Sequence, residues 1–337
     1  MDLETLLKNT SRSLYLSVRV LPRVMRPAFS VAYLLCRYAD TVADTPLLPA
    51  PRRLFWIERF PSILQNQAAE EIELLTHEIK GGSSNPYERI LIENLRPCLD
   101  AFNQIPGNQK PFILEVVRAV CEGMKIDLQV FPHEQNAPVI AFQTNKELEN
   151  YCRLMGGKPG EFWSQLIFRS TQIPTDKETF LKLGRHIGDA LQIVNILRDL
   201  PNDLQIGRCY FPQEDLQSVG LTPQELLYPA NSPRFESVKQ KWIAWGLARL
   251  QEGNSYFRLL PKTQPGQRTA VAWPILWAAD TLYKIALEPD LLNIKKRVKI
   301  SRSTIYLTML CTPPLWLSNR VFSAWLTHKI NRFPTGK

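Results

Sequence analysis

Residues 28–44 read AFSVAYLLCRYADTVAD and residues 188–203 read GDALQIVNILRDLPND. In both, apolar residues recur three and four apart, the period of a helix with one buried face. In the first stretch Tyr33, Arg37, Asp40 and Asp44 are spaced four, three and four apart. On a helix they fall within about 60° of arc, and Val31, Leu34, Leu35 and Val42 occupy the other faces. In the second stretch Gly188, Gln192, Asn195, Asp199 and Asp203 fall within about 80°, set among Leu191, Ile193, Val194, Ile196 and Leu197. Each helix is therefore core material carrying one polar stripe that ends in two carboxylates. Like charges four apart destabilise a helix by about 0.2–0.5 kcal/mol, and a buried, unpaired carboxylate costs far more. A hard cation gives the pairs a purpose, since Mg²⁺ takes oxygen ligands, usually one or two carboxylates plus substrate phosphates. The plain alternative is two solvated helix faces. Repetition of the stripe on two apolar helices, with Arg, Asn and Gln alongside, weighs against it. Pro201 lies between Asp199 and Asp203, and it predicts a kink or an end of the second helix there.

Outward from these stretches the chain reads as helix after helix, with no alternating strand pattern and no fixed-period repeat. Thr144 followed by Glu147 predicts a capped helix start. The expected fold class is all-α, in one large domain over residues 1–302 followed by an apolar tail over 303–337. The 337 residues carry a formal net charge of +9, which suits phosphorylated substrates, an anionic membrane or nucleic acid. No nucleic-acid motif or sharp basic patch accompanies it, so no nucleic-acid partner is expected. Cysteines 36, 98, 121, 152, 209 and 311 form no C-x-x-C pair and read as reduced core residues. MDLETLLKNTSRS at the start has no leader pattern, and no apolar run reaches membrane-spanning length. A cytoplasmic, monomeric protein is expected.

Residues 11–44, SRSLYLSVRVLPRVMRPAFSVAYLLCRYADTVAD, together with GDALQIVNILRDLPNDLQIGRCYFP at 188–212, resemble the two aspartate motifs of the squalene/phytoene synthase family. GMKIDL at 123–128 and ENYCRLMGGKPG at 149–160 resemble its intervening helices, and the likeness runs from about Ser11 to about Arg302. It implies an all-α isoprenoid synthase fold around a central cavity. It also implies Mg²⁺, with Mn²⁺ as substitute, held by Asp40, Asp44, Asp199 and Asp203. Arg12, Tyr33, Arg37, Gln192, Asn195, Arg198 and Arg208 would serve the diphosphate or the metal's surroundings. Tyr151 would handle a proton or stabilise a cation in the first half-reaction; its plain reading is a core tyrosine with a satisfied hydroxyl. The motifs depart from the common pattern at Ala43, at Asn202 and at the Gly156–Gly157 pair.

The implied reaction is head-to-head condensation of two isoprenoid diphosphates, farnesyl diphosphate being favoured, to presqualene diphosphate and then, with NADPH, to squalene. The alternatives are phytoene or dehydrosqualene synthesis without NADPH, a reaction stopping at the cyclopropyl diphosphate, a terpene cyclase, and a catalytically silent scaffold of the same fold. VAWPILWAADTLYKIAL and the basic KKRVKISRS at 295–303 resemble the squalene branch. Arg297 and Lys299 are the expected contacts for NADPH phosphates, with a solvated or membrane-facing patch as the plain reading. STIYLTMLCTPPLWLSNRVFSAWLTHKI at 303–330, split by Pro313–Pro314, reads either as a membrane-surface segment or as terminal helices packed on the core.

Overall fold

The computed structural model of the protein describes residues 3–11, 13–80, 86–131 and 137–333. The fold class is all-α, as the periodicity predicts. Packing divides the chain into two compact units, Met1–Gln129 with Gln165–Ser170, and Val130–Ser164 with Thr171–Lys337.

The first unit holds α1 (Leu3–Thr10), α2 (Ser13–Val20), α3 (Arg26–Asp44), α4 (Ala50–Asn66), α5 (Ala69–Ile79), α6 (Pro86–Glu93), α7 (Leu95–Gln104) and nearly all of α8 (Lys110–Val130). Helix α3 is its spine. Pro27 sits in its first turn, where a missing N–H costs nothing. Its end follows from Pro46: the preceding Thr45 is extended, at ψ 130°, because a residue before proline is steered out of the helical region. Buried Arg53 of α4 donates to the Ala43 carbonyl at 2.8 Å, satisfying one of the acceptors a helix end leaves open. Leu34, Leu35, Tyr38 and Ala39 are fully buried, and Tyr38 stacks on Phe60 with ring centroids 5.5 Å apart.

The second unit holds β1 (Ile140–Ala141), α9 (Asn145–Cys152), a π-helical turn at Arg153–Gly157, the first part of α10 (Lys158–Ser170), α11 (Lys177–Gln205), β2 (Arg208–Cys209), α12 (Gln213–Ser218), α13 (Ser232–Gln251), α14 (Gly253–Leu259), α15 (Pro265–Leu287), α16 (Arg302–Leu310), α17 (Pro313–Leu317) and α18 (Asn319–Asn331). The predicted cap is present: the Thr144 side chain accepts from the Glu147 N–H, and the Glu147 carboxylate accepts from the Gln143 N–H at 2.6 Å. One expectation is corrected. Helix α11 does not end at Pro201 but runs to Gln205. Leu200, Pro201 and Leu204 are all buried, so packing on this last turn outweighs the hydrogen bond that proline removes. Helix α15 is buried on all sides, as a helix apolar all round must be. It packs against α11, α13, α14 and the three terminal helices.

Two polar ties hold the tail to this unit. Arg268, wholly buried, donates to the carbonyls of Leu260 at 2.8 Å and Leu315 at 2.9 and 3.0 Å, and to the side-chain oxygen of Asn319 at 2.7 Å. Buried Asp280 takes Lys329 at 2.6 Å and Arg332 at 2.8 Å. Among the described residues no helix is long and apolar enough to cross a membrane. The cysteines conform in part: Cys98, Cys121, Cys152 and Cys209 are buried, but Cys311, just beyond α16, is exposed.

Candidate functional site

Helix α3 presents the first stripe. Arg37 forms an ion pair with Asp40 on the same face, and each side chain keeps about a third of its surface exposed. Asp44, one turn on, is exposed at the helix end. Tyr33, also on this stripe, makes a contact within the first unit. Its hydroxyl donates to the Thr10 carbonyl at 2.8 Å, pinning the end of α1 to α3. Arg12, two residues farther on, lies outside the described residues. Burial pushes the neighbouring Cys36 thiol up to about 12, which leaves oxygen as the donor chemistry of this face.

Helix α11 presents the second stripe. Gln192, Asn195, Asp199 and Asp203 are all partly or fully exposed, while Ile193, Val194, Ile196 and Leu197 between them are buried. Arg198 turns back onto Asp199, its Nε donating at 2.9 Å and its terminal nitrogen closing a second bond. In both stripes, then, an arginine of the same helix pairs with the first carboxylate, which stays partly open to solvent. Half-exposed oxygen donors one helical turn apart fit a hard divalent cation that draws its other ligands from phosphate oxygens and water. Among the described residues no three metal-ligating side chains are gathered at one point.

Two glycine pairs set how α11 lies against its neighbours. A Cβ on Gly188 would stand 2.0 Å from the Gly156 carbonyl oxygen, and a Cβ on Gly160 would stand 2.2 Å from the Gly184 carbonyl oxygen. The π-turn and α10 therefore meet α11 backbone to backbone, an approach only glycine permits. The sequence contains the signal twice, as glycines four apart at 156 and 160 and again at 184 and 188. Sequence reasoning registered Gly156–Gly157 only as a departure from pattern.

Beyond α11 the chain turns through Gly207, at φ 75°, into β2. That strand pairs in parallel with β1, Ile140 opposite Arg208 and Ala141 opposite Cys209. Here the structure brings together two sequence-predicted residues through one that sequence reasoning missed. Buried Tyr151 stacks on Tyr210 with centroids 4.8 Å apart, and its hydroxyl donates to the Tyr210 hydroxyl at 3.2 Å. Arg208 donates to the same Tyr210 oxygen at 3.1 Å. Phe131 and Phe142 wall the pair. The clue was the i,i+2 spacing of Arg208 and Tyr210, which puts both on one side of an extended chain.

Asp189, one residue past the Gly188 contact, is a buried acid with Arg249 3.8 Å away. Its Oδ1 finds no hydrogen bond among the described residues. Burial drives it from 3.8 up to about 7, against Arg249, Arg153 and Arg185 and with Glu161 adding to the rise. An acid raised on folding holds its proton in the native state between those two values while the unfolded chain has released it. Stability from this group is therefore full below about pH 4 and lost as pH rises towards 7. Asp189→Asn should flatten that slope, checked by urea unfolding at pH 5 and pH 7.5; an unchanged slope would show that Asp189 is ionised throughout.

Arg297 and Lys299 are exposed on an irregular segment between α15 and α16, on either side of buried Val298. Two cations on open surface suit a phosphate.

Comparison with known proteins follows the same lines. Residues 7–304 match the model of the squalene/phytoene synthase family. A bifunctional lycopene cyclase/phytoene synthase of Colletotrichum graminicola is 28% identical over 264 residues, covering 77% of this chain and 42% of that protein. A presqualene diphosphate synthase of Zymomonas mobilis is 28% identical over 236 residues, covering 70% of this chain and 67% of that one. The chain thus spans less than half the length of the curated relatives that head the comparison. A solved complex of TcSQS with a ligand has the same fold, with a TM-score of 0.77 at 20% identity over 98% of this chain and 95% of that one.

Proposed function

The chain belongs to the squalene/phytoene synthase family, and on that premise we propose that it condenses two molecules of farnesyl diphosphate head to head to presqualene diphosphate. The observation that carries the reading is the repeated stripe: on two separate apolar helices, an accessible aspartate pair one turn apart with an arginine on its first member. Asp40, Asp44, Asp199 and Asp203 would hold Mg²⁺, or Mn²⁺ in its place. When bound, the cation supplies the positive charge that turns a diphosphate into a leaving group. Arg37, Arg198 and Arg208 offer guanidinium forks matched to phosphate oxygens, and Gln192 and Asn195 add neutral hydrogen-bond donors beside them.

The C–O bond of one allylic diphosphate breaks, and inorganic diphosphate departs. The double bond of the second substrate attacks the allylic cation, and loss of one proton closes the cyclopropane. The allylic cation has to be shielded from water, which would quench it. Tyr151, with its hydroxyl directed at Tyr210, is the residue we assign to that proton, and the stacked rings would stabilise positive charge by their faces.

Tyr210 positions Tyr151 and Arg208 together. Tyr210→Phe should lower kcat about ten- to a hundredfold, less than the roughly 10²–10⁴-fold that a general acid or base itself contributes, and shift its pH profile, while stability falls by only about 1 kcal/mol. An unchanged kcat and pH profile would remove Tyr210 from the mechanism.

The decisive assay is incubation with farnesyl diphosphate and Mg²⁺, with and without NADPH, followed by product analysis. Presqualene diphosphate without NADPH is the expected result, and squalene on its addition would extend the reaction by a reductive step. Exclusive use of a C20 substrate, or a cyclised C15 product, would overturn the proposal.

A further inference from the structure

Helices α14 and α18 are packed together by core contacts. Phe257 of α14 stacks on Phe322 of α18 with ring centroids 4.0 Å apart, and both rings are buried. Buried Arg268 lies over the Phe257 ring, 4.1 Å from its centroid, and donates to Asn319 Oδ1 at 2.7 Å. A stacked pair and a buried guanidinium thus hold α14 and the start of α18 in one arrangement. Phe322, Leu326 and Lys329 are the buried side of α18. Arg320, Ser323, Thr327 and His328, three and four apart on its other side, line a cavity of about 800 Å³ together with Asn319 and with Arg258 of α14.

The chemistry of this lining has one sign. Arg258, Arg320 and His328 contribute basic groups, and among the described residues no carboxylate borders the cavity. Residues 291–337, which include all of α18, contain no aspartate or glutamate, so the helix has no acid of its own to meet Arg320. Other arginines of the unit are taken: Arg185 by Glu161, Arg234 by Glu225 and Arg332 by Asp280. Arg258 and Arg320 are exposed and make no ion pair or hydrogen bond with a described residue. Asn319 is oriented as well as present. A guanidinium can only donate, so Arg268 fixes the Asn319 oxygen and leaves its amide hydrogens to the cavity. Ser323 and Thr327 add hydroxyls. An ordinary solvated helix face mixes both signs of charge; this one is concave, rich in donors and free of acid.

We propose that the cavity between α14 and α18 binds a small dissolved polyanion that carries a short polyphosphate chain. The forks of Arg258 and Arg320 match phosphate oxygens, and hydrogen bonds from a charged donor to a charged acceptor are the strong ones. The Asn319 amide and the two hydroxyls supply neutral donors between them. The volume lies within the range of small-molecule sites, about 300–1,000 Å³, and takes several linked phosphates, free or as part of a nucleotide. A bilayer is a poor occupant, because Ala324 is the one apolar side chain of the lining and nothing there would enter acyl chains. The stripes lie on α3 and α11, so the inference stands independently of the catalytic reading. A ligand that bridges Arg258 and Arg320 also ties α18 to α14, and binding to the native state alone raises its stability.

Isothermal titration calorimetry of the full chain with inorganic triphosphate tests it. The titration is done in EDTA, so that the aspartate stripes have no divalent cation through which to hold phosphate. One saturable site is expected, weakened by salt. Arg258→Gln with Arg320→Gln should weaken it at least about a hundredfold and abolish the rise in unfolding temperature that triphosphate gives the parent. Arg258→Lys with Arg320→Lys keeps the charge without the fork and should weaken it about tenfold. Asp40→Asn with Asp199→Asn should bind like the parent. Arg258 and Arg320 lie outside the proposed catalytic groups, so their variants should keep the helical circular-dichroism signal and turnover of the parent. Tighter binding of ATP than of triphosphate would make a nucleotide the occupant, and the reverse a free polyphosphate; either supports the site. Absence of saturable binding by the parent would overturn the proposal. So would parent-like binding by the glutamine variant, or loss of binding in the aspartate variant, which would move the anion to the stripes.

Discussion

Asp40→Asn and Asp199→Asn are each expected to lower turnover of farnesyl diphosphate by at least about a thousandfold, the scale on which loss of one electrostatic contact to developing charge is felt. Asparagine keeps the shape and one acceptor of the carboxylate but removes the negative charge a divalent cation needs. The effect on folding should be small. The Arg37–Asp40 and Arg198–Asp199 pairs are partly open to solvent, and such pairs contribute about 0–1 kcal/mol. Activity and stability thus separate: unfolding midpoints should barely move while steady-state turnover disappears. If both variants retain near-parental turnover with Mg²⁺, the stripes are solvated helix faces and the proposed chemistry has no seat. Asp44→Asn and Asp203→Asn, one turn along each helix, should follow the same pattern.

Gly188→Ala should do the reverse, destroying stability before chemistry is reached. The added Cβ would lie 2.0 Å from the Gly156 carbonyl oxygen, 2.6 Å from its carbonyl carbon and 3.0 Å from Gly157 Cα. All three are backbone atoms, so no side-chain rotation relieves the clash. The π-turn and α11 would have to separate by more than about 1 Å along a close-packed seam. A loss of about 3 kcal/mol or more is expected, at the upper end for overpacking, measured as the urea midpoint. Gly107→Ala is the control, because its Cβ would meet nothing within 4 Å; its midpoint should stay within about 0.5 kcal/mol of the parent. Equal behaviour of the two variants would mean that the seam yields easily.

Helical class and the two stripes were legible in the sequence because both depend on local repetition. A period of 3.6 sorts residues onto faces whatever the rest of the chain does. Asp40, Asp44, Asp199 and Asp203 fall on lines that the structure reproduces on α3 and α11. Where a local rule met a tertiary force, the local rule lost. Pro201 marks a kink or an end of the helix, and buried neighbours carry α11 past it to Gln205. The hydrogen bond from the Tyr33 hydroxyl to the Thr10 carbonyl joins residues 23 apart, a pairing that no spacing announces.

The sequence by itself determined that this chain is helical, that its carboxylates come in turn-spaced pairs on apolar helices, and which family it resembles. All three are properties of pattern along the chain. Only the tertiary structure decided that Tyr210 joins Tyr151 to Arg208, that two glycine pairs bring α11 into backbone contact, and that the tail is fastened through Arg268 and Asp280. Those depend on which distant segments meet, and that is set by the packing and hydrogen-bond satisfaction of the whole unit, not by any window of residues.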